Sequence, residues 1–345
     1  MRGIMTYPRR MWRFACLALV GAVALVPTDA DACGGFFGPP AEGARFPSLG
    51  YEQTLLIHDP ATEKEHFIRE VTFDNASTSF GFVVPTPTRP EVAKVEKSPF
   101  DKLRTTFPFA VEPMATGGGG PPGSRAASAG AGAPPVQVLE VKQIGSFTAF
   151  VLKADDAGAL QDWLRKNKLT STKEADRWLA HYVTQKFYWV AMRYDGAKKG
   201  APPKLTSETV RISFGTPAPY YPYYEPDPAP GQAPLPRRLM DLWVISPEAV
   251  TPVAVYKDSA TRASSWVRPL KEGHPWSNIP ADTLAPALAA LIPKGSHVQT
   301  FQDQKVSRIG YGDILFAPAS APADAGARAG KLDSIAAVLD PEQAL

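Results

Sequence analysis

The chain has 345 residues, 44% of them apolar or aromatic and 21% charged, which excludes a wholly disordered protein and leaves material for a sizeable core. Its 36 Pro and 27 Gly exclude an architecture of long helices. The formal charge of +3 falls to +1 once the first 32 residues are set aside, a balance that gives no support for nucleic acid or an anionic membrane as partner.

The chain opens like an export address. Arg2, Arg9, Arg10 and Arg13 form a basic start, and residues 14–26 (FACLALVGAVALV) follow without a charge. Thirteen apolar residues fall short of the roughly 20 that span a bilayer but suit the core of a signal peptide. Pro27 breaks the helix, and Ala30-Asp31-Ala32 supplies the small-x-small pattern of a cleavage site, with the cut expected after Ala32. Arg9-Arg10 also begins a twin-arginine pattern, but Met11, Trp12 and Arg13 continue it poorly, which favours general secretion. Cys16 leaves with the leader, so Cys33 alone remains and no intrachain disulfide can form. A lipoprotein anchor at Cys33 is an alternative; it would want an apolar residue three places earlier, where Ala30 stands behind polar Thr28 and Asp29. The plainer expectation is a secreted terminus with a free or dimer-forming thiol.

Beyond the leader, β-branched and aromatic runs predict strands over 54–58 and 67–73, joined by the turn Asp59-Pro60-Ala61-Thr62. A run over 79–84 (SFGFVV) is expected to stop at Pro85-Thr86-Pro87, and 99–105 to make a turn or two of helix. Gly, Pro and Ala fill 18 of the 23 positions over 113–135, which cannot offset their ordering entropy of about 1–2 kcal/mol per residue; a disordered linker is expected. Gly118, Gly120 and Gly123 spell G-x-G-x-x-G there, without the strand, helix or amide donors that give the motif meaning.

Strands follow over 136–141 and 147–152, then two helices. The first begins near Asp155 and Asp156 and lines up Leu160, Trp163 and Leu164; the second runs over 172–186 and buries Trp178, Leu179 and Tyr182. Such a pair could suggest a DNA-binding helix-turn-helix, but its Trp residues read as core anchors. Further strands are expected over 187–194, 209–214, 239–245, 250–256, 297–301 and 314–316, with a helix over 282–291 and a loose tail over 317–345. Between them, residues 217–236 hold eight Pro and the four tyrosines Tyr220, Tyr221, Tyr223 and Tyr224, a composition for extended polyproline geometry.

Chemistry is sparse. No H-E-x-x-H, C-x-x-C, G-x-S-x-G or P-loop is present, and no motif implies an organic cofactor. His58 and His66 flank the first turn and, with Asp59 and Glu65, could hold a zinc or copper ion, or be two polar residues beside a turn. The four tyrosines offer stiff aromatic faces for a glycan or other ligand, or a strap over a sheet edge. No catalytic set can be assembled from spacing alone.

Several segments in succession resemble a bacterial exported family known as domain of unknown function 2330. They are Ala32-Cys33-Gly34-Gly35-Phe36-Phe37 behind the leader, His58-Asp59, Phe80-Gly81-Phe82-Val83-Val84-Pro85-Thr86-Pro87, Ala159-Leu160-Gln161-Asp162-Trp163-Leu164, His181-Tyr182-Val183 running into 187–193, and Ile212-Ser213-Phe214 before the Pro/Tyr segment. The resemblance implies an extracytoplasmic bacterial protein and no particular activity. A second Cys soon after the first is usual in such proteins; Gly38 stands there here. The expectation is one α+β domain over 33–316, mainly antiparallel β with a two-helix insert near 155–186; two sub-domains split at the linker are the alternative. Its expected role is a non-enzymatic binding or envelope-associated module, periplasmic or secreted, with a secreted hydrolase as the alternative.

Overall fold

The computed structural model of the chain describes residues 35–37, 48–74, 79–109, 136–169, 173–195, 204–226, 239–256, 270–303 and 311–319. The leader, Ala32 and Cys33, the 113–135 linker and everything beyond residue 319 lie outside them.

In chain order, β1 (Gly35–Phe37), β2 (Ser48–Asp59), β3 (Lys64–Asp74), β4 (Phe80–Thr86) and β5 (Glu91–Lys94) lead to helix α1 (Phe100–Thr106). Then come β6 (Gln137–Ile144), β7 (Phe147–Lys153), α2 (Ala157–Lys166), α3 (Lys173–Thr184), β8 (Tyr188–Tyr194), β9 (Lys204–Thr206), β10 (Val210–Gly215) and β11 (Tyr220–Tyr221). The chain continues through β12 (Leu239–Ser246), β13 (Val250–Tyr256), β14 (Lys271–Glu272), α4 (Pro286–Ala289), β15 (His297–Asp303) and β16 (Tyr311–Pro318).

These strands build three sheets. The largest runs β14-β15-β12-β2-β3-β10-β5 with β9 added beside β3; the second runs β1-β4-β8-β7-β6, and the third β11-β16-β13. Every pairing is antiparallel except β2 with β12, whose strands lie far apart in sequence. The fold is α+β and mainly antiparallel, as composition and periodicity lead one to expect.

Strand alternation gives the large sheet two apolar faces. Leu56, Phe67, Val71 and Phe73 point inward, where Phe73 meets Phe80, Phe82 and Phe147 of the second sheet. That inner core joins residues from both sides of the linker. On the second sheet's far face, Phe150 packs edge-on to Trp163 of α2, and Trp189 meets Trp178 and Tyr182 of α3. The outer face of the large sheet carries Leu55, Ile57, Ile68, Trp243 and Ile245, covered by Phe100 and Leu103 of α1 and by Leu284 and Leu288. Burying each such side chain contributes roughly 1.5–3 kcal/mol before entropy is counted.

Local chemistry explains most boundaries. Asp59 closes the β2–β3 turn by accepting from Ala61 N at 3.0 Å and from the Thr62 hydroxyl at 2.8 Å. Asp156 caps α2, accepting from Ala159 N at 2.8 Å. Gly145, at φ +55°, supplies the left-handed residue in the two-residue β6–β7 turn.

Three boundaries depart from expectation. Pro85 does not stop its strand: it pairs with Trp189 inside β4. Its ladder with β8 runs on through Thr86, which pairs with Tyr188, so a proline is carried within the strand. The helix expected over 282–291 shrinks to the single turn of α4, because Pro286 fixes its start and Asp282 is drawn to Lys102 of α1 at 2.7 Å. The expected tail begins too early, since Ala317 and Pro318 still pair with Thr251 and Val250 of β13.

Candidate functional site

Residues 217–226 of the Pro/Tyr segment run through the interior. The prolines hold them extended, and Tyr220 and Tyr221 pair with Leu315 and Ile314 as the edge strand of the third sheet. Tyr220, Tyr221 and Tyr223 are fully buried and Tyr224 nearly so. A buried phenol needs a partner for its hydroxyl, and acids supply three of them. Tyr220 donates to Asp313 at 2.6 Å, Tyr221 to Glu52 at 2.7 Å and Tyr223 to Asp303 at 3.0 Å. Tyr224 contributes its backbone, donating its N–H to Asp313 at 3.0 Å and accepting from Trp178 Nε1 at 2.9 Å. The rings thus face the core, in the position of an internal strap.

The electrostatics follow from that burial. Asp313 also accepts from Tyr182 of α3 at 2.8 Å; loss of hydration pushes it up to about 6, against the downward pull of its hydrogen bonds. Burial and then the Asp313 charge raise Tyr182 and Tyr220 well above the usual phenol range. Glu65 is raised by burial too: its Oε2 accepts from Tyr220 N at 2.7 Å, while its buried Oε1 has no hydrogen-bond partner. Glu52 Oε1 lies 2.8 Å from Arg69 Nε, an ion pair with both side chains almost wholly out of water. Arg69 also sits 5.2 Å from the centroid of the Phe82 ring.

His58 and His66 do not converge. The β2–β3 register sets His58 opposite Glu65 and His66 opposite Ile57, so the two imidazoles leave the sheet on opposite faces. His58 is buried inside, its Nε2 3.0 Å from the Thr216 carbonyl, and burial lowers its pKa. Asp59 stays exposed in its turn, and Glu65 lies inward. Among the described residues no group of three or more His, Cys, Asp or Glu is arranged to hold a metal ion.

On the outer face, His66 enters a different constellation. Its Nδ1 lies 2.8 Å from Ser213 Oγ, directly across on β10. Arg211 and Lys64 flank the pair, and Glu91 on β5 faces Ser213 from the other side while pairing with Lys64 at 3.6 Å. Burial, then Arg211, then Lys64 push His66 down to about 4. A Ser–His contact is the geometry of a nucleophile and its base. Its tuning runs the other way: a base near 4 is far below the useful range, cationic neighbours oppose the imidazolium, and Ser213 is only 2% exposed. Sequence reasoning singled out His66 but missed Arg211 and Ser213 as its neighbours, since only the β3–β10 register brings together positions 147 residues apart.

The molecule is thus a β-rich α+β protein with a carboxylate–tyrosine interior and a basic His–Ser patch on its outer sheet face. The chain belongs to the DUF2330 family, described as an uncharacterized protein conserved in bacteria, whose model matches residues 27–224. That span includes Glu52, Glu65, Arg69, the outer patch and the Tyr segment, and stops before Asp303 and Asp313. Among curated proteins none matches the chain. No helix among the described residues is long and apolar enough to cross a membrane.

Proposed function

We propose that this chain is an exported bacterial protein, periplasmic or secreted, that acts as a non-enzymatic binding module of the cell envelope. The observation that carries this reading is the N-terminal pattern: four arginines, thirteen uncharged apolar residues, a proline, then Ala30-Asp31-Ala32. Membership of a bacterial family whose match begins at residue 27, just where the apolar run ends, agrees with it. The non-enzymatic half is supported by electrostatics. Asp313, Asp303 and Glu52 are engaged by tyrosine hydroxyls and Arg69, and the Ser213–His66 pair is tuned against proton abstraction.

The test is expression of the full chain in a bacterium, followed by fractionation and mass measurement of the mature terminus. The expected product is extracytoplasmic and begins at Cys33; a diacylglyceryl adduct on Cys33 would make it the anchored form of the same module. A chain that stays in the cytosol with residues 1–32 attached overturns the reading. Turnover in esterase, glycosidase or peptidase assays would replace the binding role with the hydrolase alternative.

A further inference from the structure

The outer face of the large sheet holds an arginine, Arg211, whose buried Nε is left without a hydrogen bond among the described residues. Two acids share its face: Glu91, diagonal on β5, is engaged with Lys64, and Glu70, diagonal on β3, accepts from Thr209 Oγ1 at 2.6 Å and from Gln53 Nε2 at 3.2 Å. A desolvated guanidinium N–H left unpaired is costly, and such a group calls for a partner from outside the chain, an ion or a water.

The neighbours are donors. Arg211 lies diagonal to His66 across the β3–β10 pair, and Lys64 lies diagonal to Ser213, so all four project from one face with Arg211 and Lys64 on either side of the His66–Ser213 pair. When the Ser213 hydroxyl donates to His66 Nδ1, the ring hydrogen sits on Nε2, facing away from Ser213. The result is one guanidinium, one ammonium and one imidazole N–H around a small area. The opposing acid, Glu91, is exposed, and its ion pair with Lys64 is weak enough for a stronger anion to displace.

We propose that Arg211, His66 and Lys64 form a binding site for a phosphate-type oxyanion, with Ser213 orienting the His66 ring. A tetrahedral anion accepts hydrogen bonds from several directions at once and matches the guanidinium fork better than a halide does. The site names a ligand class for the binding module and rests on that reading, but does not depend on export. The anion would offset the two cations that now disfavour the imidazolium, so phosphate binding and protonation of His66 are reciprocally linked.

The experiment is an NMR pH titration of the histidine ring signals in the full chain, in inorganic phosphate and in chloride at equal ionic strength. The expected result is a His66 midpoint at least half a pH unit higher in phosphate, a difference that Arg211→Gln abolishes. The buried His58 signal should keep its position in the variant, which certifies the fold. Equal midpoints in phosphate and chloride overturn the proposal, as does a phosphate shift that survives Arg211→Gln. Vesicles of phosphatidylglycerol against phosphatidylcholine separate the sources. Sedimentation with the first that Arg211→Gln removes assigns a lipid headgroup, and a shift in solution without sedimentation assigns a free phosphate. Failure of the phosphate arm in a chain that is exported and begins at Cys33 removes this site and leaves the envelope reading standing.

Discussion

Tyr220 and Asp313 meet at 2.6 Å in the interior, a phenol from the Pro/Tyr segment donating to a carboxylate 93 residues further on. Tyr182 of α3 donates to the same group, so one acid ties together a helix and two strands of the third sheet. The arrangement has a thermodynamic signature. Asp313 is raised to about 6 in the folded chain against about 4 when unfolded, so between those values the folded state holds a proton that the unfolded state has released. Its contribution to stability is therefore greatest below pH 4 and falls as pH rises through 6, by up to about 3 kcal/mol. Asp313→Asn does not titrate and lacks that slope. Denaturant unfolding at pH 4.5, 6 and 7.5 should show the gap between wild type and variant narrowing as pH rises; a gap independent of pH would contradict the assignment. Glu65 slopes the same way and the two lowered histidines slope oppositely, which is why the difference between chains is the quantity to measure.

The Glu52–Arg69 pair should behave as a unit. Arg69→Met strands a buried carboxylate, with an expected cost of about 3–5 kcal/mol. Tyr221→Phe removes only one donor to Glu52 and should cost about 1–2 kcal/mol. The double variant Glu52→Leu with Arg69→Met removes both charges and should be more stable than Arg69→Met alone. Denaturation midpoints at pH 7 give all three values.

Gly81 lies hard against Met192 of β8 and Leu169, which follows α2. A Cβ there would lie 2.7 Å from the Met192 carbonyl oxygen and 2.8 Å from Leu169 Cδ2. Backbone and core must shift to admit even a methyl group, so Gly81→Ala should destabilise by about 1–3 kcal/mol. Thermal unfolding measures it, and a neutral outcome would mean that α2 and the loop after it yield easily.

What was legible in the sequence was local. Asp59-Pro60 announces the β2–β3 turn and Asp156 the start of α2, because each acts on a backbone two or three residues away. What was not legible depends on partners far along the chain. Tyr221 and Tyr223 read as a strap, with a ligand platform as the alternative, and their hydroxyl partners Glu52 and Asp303 lie 169 and 80 residues distant. Pro85 differs for the same reason, since whether a proline ends a strand depends on its neighbour, and Trp189 of β8 pairs with it. His66 is expected beside His58, and the register sets it across from Ser213 instead. Period-two alternation already separates it from His58 once the turn is fixed, a signal available in the sequence had the register been counted outward from Asp59.

His66 also sets the acid limit of the outer face. Its pKa falls to about 4 in the folded chain, from about 6.5 when unfolded, so the unfolded state binds the proton first as pH drops. The stability this residue contributes is complete above about pH 6.5 and is lost progressively down to about pH 4. His66→Gln keeps a polar group opposite Ser213 and does not titrate. It should therefore lose less stability than wild type between pH 7 and pH 5, measured by urea unfolding in chloride buffers. Arg211→Gln should act in the same direction through His66 itself, since removing that cation lets the imidazole charge more easily within the fold. The two changes act on one proton, so their effects on acid sensitivity should not add, and the double variant should match His66→Gln alone. Full additivity would show that Arg211 and His66 do not sense each other across the β3–β10 pair.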